Sequence, residues 1–193
     1  MSSMLNVTGA FVIGAIIMLS ILTRGINLNQ ASIEKTTILI MQTNSVTAAR
    51  IIEYDFVKAG YHVPKGTAVT SADSISITFK SDLLDDGIVR TISYSLGPVS
   101  EANVAVTKNP RDRILHRSVT GHASTDAILG LTDLVFSYYD SAGKATIIPA
   151  NIRSIYVHMD FEASERVIKT TDTPSDTGFQ GVHWEKTIFP RNL

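Results

Sequence analysis

Five histidines are the residues most able to bind a metal in this chain, and they stand far apart: His62, His116, His122, His158 and His183. Only His116 and His122 approach the separation at which two imidazoles share an ion, and no known ligand pattern is matched, so no transition-metal site is expected. Cysteine is absent, which removes disulfides, thiolate ligands and cysteine nucleophiles together. Asp82, Asp85 and Asp86 gather before Gly87, where side-chain and carbonyl oxygens could hold a hard cation such as calcium. The spacing is not that of an EF-hand, and Asp85-Asp86-Gly87 is first of all turn chemistry. Serine, histidine and aspartate are plentiful, but there is no Gly-x-Ser-x-Gly elbow, no phosphate-binding loop and no dinucleotide glycine pattern. No catalytic residues and no cofactor are therefore expected. Residues 170–181 are a polar stretch that reads as a mobile loop, and Trp184 reads as core or edge packing.

The elements around these residues explain the chain better than the residues themselves do. From Met4 through Phe11 and Gly14 to Leu22 run nineteen residues without a charge, enough as a helix to cover about 28 Å of hydrocarbon. A cleavable signal would want a basic n-region, whereas the first Lys or Arg is Arg24. Residues 1–25 are accordingly read as a membrane anchor in contact with lipid. Arg24 just after the span weakly favours a cytoplasmic C-terminus, although long following domains translocate largely regardless of one charge. Elsewhere charge is sparse and mixed, with 17 basic against 18 acidic residues, which leaves no footprint for nucleic acid.

Residues 26–63 read as an amphipathic stalk helix, loosened near Gly25, Asn27 and Asn29 and ended at Gly60, with Pro64 blocking continuation. Ile38, Met41, Ala48, Ile52, Phe56 and Ala59 form one apolar stripe along it, expected to pack on a sheet. Residues 64–193 form a β-rich head in which the hydrophobic period changes to two. SISITFK (74–80) and IVRTISYSL (88–96) make a hairpin through the acidic turn, with Ile75, Ile77 and Phe79 facing Ile88, Ile92, Tyr94 and Leu96. RDRILHRSVT, LTDLVFSYYD leading into KATII, NIRSIYVHMDF and HWEKTIF supply the rest. The expectation is an α+β protein: a long N-terminal transmembrane and amphipathic helix packed on an antiparallel sheet head of five to seven strands, with Phe56 against the face carrying Ile155 and Val157.

An apolar helix running into an amphipathic one and then a meander of strands resembles the type IV pilin fold. AARIIEYDFVKAGYHV (48–63) looks like the end of the long helix in minor pilins of the W type and pseudopilins of the J type. ITFKSDLLDDGIVRTISYSL (77–96) is similar to their first hairpin, TDLVFSYYDSAGK (132–144) to a late one, and IRSIYVHMDFEA with KTIFPRNL (186–193) to their last strands and tail. The resemblance implies a non-enzymatic structural subunit of a type IV pilus or type II secretion-type filament, single-pass in the inner membrane with its head in the periplasm or outside the cell. Its partners would be other pilin-like subunits, met by the helix near Ile38 and Met41. The N-terminal pattern departs from the family: no acid occurs in the first 33 positions, and neither Gly9-Ala10-Phe11 nor Arg24-Gly25-Ile26 forms the usual prepilin cleavage motif. A permanent anchor, or entry into an assembly by a contact that needs no acid, is expected instead. A membrane-tethered binding module or adhesin is the alternative, and a tethered hydrolase the third reading.

Overall fold

The computed structural model describes residues 2–102, 107–127, 130–164 and 178–193. One helix, α1 (Ser2–Val57), takes up the first 56 of them without a break. Gly25, Asn27 and Asn29 do not interrupt it: each costs at most about 1 kcal/mol of helix propensity, too little to stop a long ladder that contains no proline. The helix also stops before residue 63. Val57 is its last residue, and Gly60 follows with φ +82°, a backbone state that a Cβ would make strained and that would drive that Cβ to 2.7 Å from the Asn192 carbonyl. The freed end is sealed by the head: Ser81 Oγ donates to Lys58 O at 2.6 Å, and Gly60 N donates to Lys80 O at 2.9 Å.

The described residues of the head form eight strands in two antiparallel sheets rather than one sheet of five to seven. The first sheet has the order β1 (Val69–Ala72), β2 (Ser76–Ser81), β3 (Arg90–Leu96), β4 (Leu115–Val119), β5 (Thr125–Ala127). The second has the order β6 (Leu131–Tyr139), β7 (Ser154–Glu162), β8 (Gly181–Ile188). A short helix, α2 (Val99–Ala102), follows β3. Alternation in the sequence becomes alternation in burial: Ile77 and Phe79 on β2 face inward opposite Tyr94 and Ile92 on β3, and Ile155, Val157, Met159 and Phe161 do so on β7.

Several expected boundaries shift. Ile75 precedes β2 and Ile88 precedes β3, and both are exposed. KATII forms no strand: Ala145 makes a single bridge to Tyr139, while Ile147 and Ile148 stay exposed beside a 3-10 turn opened by Pro149. RDRILHRSVT contracts to β4. The polar stretch 170–181 lies for the most part outside the described residues.

Both sheets contribute to one core. Phe136 N on β6 donates to Ser74 O in the β1–β2 turn at 2.7 Å, and the Tyr138 hydroxyl lies 2.7 Å from Asp73 O. The helix lays Met41, Ala48, Ala49, Ile52, Phe56 and Ala59 into that core. Phe56 is fully buried, edge-on to Phe79 and Tyr94 at 5.5 Å each and tilted against Phe136 at 5.7 Å. Its ring partners are thus aromatic residues of both sheets, and one of them, Phe136, stands opposite Val157 on β7.

Candidate functional site: the long helix and its seat on the head

None of the described residues of the head covers the first half of α1. It is long and apolar enough to cross a membrane, and its most hydrophobic stretch is wholly uncovered. Met4 and Phe11 are about four-fifths exposed, Leu22 about half, and the space around Gly14 is open. Hydroxyls in this stretch are satisfied locally: Thr8, Ser20 and Thr23 donate to the carbonyls of Met4, Ile16 and Leu19 at 2.8–2.9 Å. Such back-bonding removes the cost of a hydroxyl in hydrocarbon.

Beyond the span the helix has two apolar sides. One carries the stripe described above, with Met41 through Ala59 buried and Ile38 half-buried at its upper end. The other carries Ile33, Leu39, Ile40, Val46, Ile51 and Tyr54, each 45–62% exposed. Of the two positions near which a partner was expected, Met41 is turned inward and covered by the head, and Ile38 is half-buried. The last strand runs along the helix and is fastened to it by Gln180 Nε2, which donates to Glu34 Oε1 at 2.7 Å, and by Lys186 Nζ on Glu53 Oε1 at 2.5 Å. Trp184, half-buried on β8 opposite Met159, packs at the edge of the core.

At the base of the helix sits a polar cluster that the pattern of the sequence did not single out. Asp55 lies within the apolar stripe and is almost wholly buried. Its Oδ2 accepts from the Tyr94 hydroxyl and from Arg117 Nε at 2.7 Å, while the same Nε lies 2.9 Å from the Tyr94 oxygen. Burial and the neighbouring Asp55 charge push the Tyr94 phenol far above its ordinary range. Burial works against the Arg117 guanidinium, but Asp55 outweighs it and holds the charge in place. Asp55 on a core stripe was the available signal for a buried ion pair. Its cation, 62 residues further along, had none.

The acidic loop resolves into different partnerships from those its spacing suggested. Asp86 is gripped in two-pronged fashion by Arg90, at 2.8 and 2.6 Å, which holds its carboxyl well below the usual carboxylate range. Asp82 is fully buried and accepts from the backbone of Asp86 and Gly87 at 3.1 and 2.8 Å and from His62 Nδ1 at 2.9 Å. Burial opposes the Asp82 charge, yet those donors prevail and its carboxyl stays low. Among the described residues the set able to converge on one point is therefore His62, Asp82 and Asp85, with ligand atoms within 4.8 Å of one another, and not the three aspartates. Asp82 joins His62 to the backbone of the loop, and together with Asp82 N donating to Tyr61 O at 3.0 Å it ties the hairpin to the helix end. His116 is held between Asp126 at 2.7 Å and Glu101 at 3.2 Å, Asp126 contributing most to an imidazole pKa raised above its ordinary value.

Taken together, the chain is an α+β protein built as one long N-terminal helix seated on antiparallel sheets. No family model matches its sequence, and no curated protein matches it. Among solved structures it is similar to a type IV-like pilin from Thermus thermophilus, at 12% identity and a TM-score of 0.46, over 79% of this chain and 96% of that one.

Proposed function

We propose that this chain is a pilin-like structural subunit, a minor pilin or pseudopilin of a type IV pilus or type II secretion-type filament, that acts by packing and has no catalytic role. It sits in the inner membrane by the span at 1–25, with the stalk at 26–63 and the head at 64–193 facing the periplasm or the cell exterior. The observation that carries this reading is the second apolar side of α1. Ile33, Leu39, Ile40, Val46, Ile51 and Tyr54 continue the apolar character of the helix beyond any bilayer and away from the head. A monomer would leave that row in water, whereas neighbouring helices in a bundle would cover it. The family resemblance of residues 48–63, 77–96, 132–144 and 186–193 supports the same reading. Because the first acid is Glu34, no carboxylate has to be paired within lipid wherever the subunit stands, which suits a tip or a membrane-resident complex better than a repeating shaft.

Photo-crosslinking amino acids placed at Leu39 and Val46 of the full-length protein in native membranes test it, with buried Ile52 as the control position. Substoichiometric adducts to a different pilin-like protein at the two exposed positions, and none at Ile52, are expected. A regular ladder of self-adducts would make the chain a major shaft subunit, and the absence of any pilin-like adduct would overturn the filament assignment.

A further inference from the structure

Where the middle of α1 passes the entry to β4 and the end of β7, a cleft of about 230 Å³ opens, lined by Thr37, Asn44, Thr107, Asp112, Glu162 and Ser164 among others. Asp112 is 1% exposed, and neither of its carboxylate oxygens has a hydrogen-bond partner among the described residues. Thr107 lies close by, and its hydroxyl donates to Asn109 O at 3.3 Å. The turn that carries Asp112 is firmly built. Asn109, fully buried, donates from Nδ2 to Glu162 Oε2 at 2.9 Å and to Ala163 O at 3.1 Å, accepts Arg111 N at 3.0 Å, and receives Asp112 N on its carbonyl at 3.2 Å. Arg111 Nη2 holds the other Glu162 oxygen at 2.8 Å. The donors of Asn109 and Arg111 are thus taken up within the turn, by Glu162 and by Ala163, and none of them reaches the Asp112 carboxylate.

A buried carboxylate without a donor is among the least favourable groups a protein can carry, and such a site is completed by a cation or by a proton. Burial, with Glu162 adding to it and Thr107 opposing, raises the Asp112 carboxyl, so the proton is the competitor that a cation has to displace. An arginine or lysine tip would need acceptors on several sides at fixed angles. Scattered carboxylate, hydroxyl and carbonyl oxygens instead match the irregular oxygen shell that calcium accepts and magnesium does not. We propose that the cleft is a binding site for a hard divalent cation of the calcium class, with Asp112 as its anionic ligand and the Thr107, Thr37 and Glu162 oxygens completing the shell. Glu162 is already neutralised by Arg111, which leaves a single uncompensated acid, and the affinity belongs to the weak end, with a Kd on the order of 10⁻⁴–10⁻³ M. Because one wall is the helix and the others belong to the head, the bound ion would stiffen the seat of the head on α1.

The test is equilibrium binding of calcium to chelator-treated full-length protein in nonionic detergent at neutral pH, paired with thermal melts. One calcium per chain and a melt raised by about 3–5 °C at ten times Kd are expected, both lost in Asp112→Asn and both kept in Asp86→Asn in the hairpin loop. Thr107→Val, which leaves the carboxylate in place and removes one neutral oxygen, should weaken binding severalfold. No binding by the unmodified protein up to about 10 mM calcium, roughly ten times the weakest Kd expected, would overturn the site. So would binding that survives Asp112→Asn, or that persists at full strength in Thr107→Val where Asp112→Asn does not fold.

Discussion

Removing the Asp55 carboxylate should loosen the head from the helix without unwinding the helix. Asp55 contacts almost no solvent and receives Arg117 Nε at 2.7 Å together with the Tyr94 hydroxyl. Breaking a buried pair from one side costs about 3–5 kcal/mol, chiefly because the surviving charge stays unpaired. The Arg117 side chain keeps 24% of its exposure and can recover some water, so Asp55→Ala belongs at the lower end, about 3 kcal/mol. For a chain of this size that lowers the melting temperature by roughly 6–12 °C. Arg117→Ala leaves Asp55 with the Tyr94 donor alone and should cost a similar amount. The double substitution removes both charges and should cost about 3–4 kcal/mol instead of the sum of about 6, a coupling of about 2–3 kcal/mol. Thermal melts of the full-length protein in detergent, followed by near-ultraviolet circular dichroism and Trp184 fluorescence, measure all four corners of the cycle, and far-ultraviolet ellipticity checks that α1 persists. Single substitutions costing under about 1 kcal/mol, or a strictly additive double, would refute the pair as the fastening of the junction.

Two further outcomes follow from the packing and the charges of the head. Phe56→Ala removes a ring met by three other rings and should cost about 4–5 kcal/mol, against less than about 1.5 kcal/mol for Phe56→Leu; a loss below about 1 kcal/mol in the same melts would place Phe56 outside the core. His116 gains its proton more readily in the folded state than in the unfolded chain, because Asp126 and then Glu101 accept from it, so its contribution is fully present below the unfolded value of 6.5 and lost as pH rises through the higher folded value. Melting temperature should fall across that window and the fall should flatten in His116→Gln; an unchanged slope would show that the bridge to Asp126 and Glu101 does not stabilise the fold.

Long, regular features were legible in the sequence. The uncharged run, the stripe from Met41 to Ala59, and the period-two strands β2, β3, β6 and β7 each repeat one physical preference many times, so local chemistry and tertiary packing agree. What escaped was short or cooperative. β1 is four residues, VTSA, with a burial pattern that does not alternate, and it is a strand only because β2 pairs with it. KATII has strand composition, but Pro149 and the turn at Asp140 to Gly143 leave it nothing to pair with beyond one bridge at Ala145. The division into two sheets depends on which strands fail to bond, such as β5 and β6, and no residue pattern encodes that failure. Buried polar groups are harder still. Asp82, Asp55 and Asp112 look alike in sequence, yet the first is satisfied by its own loop and His62, the second by a distant arginine and Tyr94, and the third has no hydrogen-bond partner among the described residues.

The bonds from β8 to the helix, Gln180 to Glu34 and Lys186 to Glu53, join residues 146 and 133 positions apart, whereas Ser81 and Tyr94 reach the helix base across only 23 and 39. Contacts of short span form early and those of long span late, because the closure entropy of the intervening chain must be met first. Loop closure therefore favours one order: the hairpin of β2 and β3 can clasp the foot of the helix while most of the head is still unmade, whereas the middle of the helix has to wait for β8. Until β8 arrives, β7 is a bare sheet edge beside an unclosed helix flank, and another chain's strand could fill that gap. The finishing strand therefore also acts as a quality check, since a head arrested before it would still advertise an open edge.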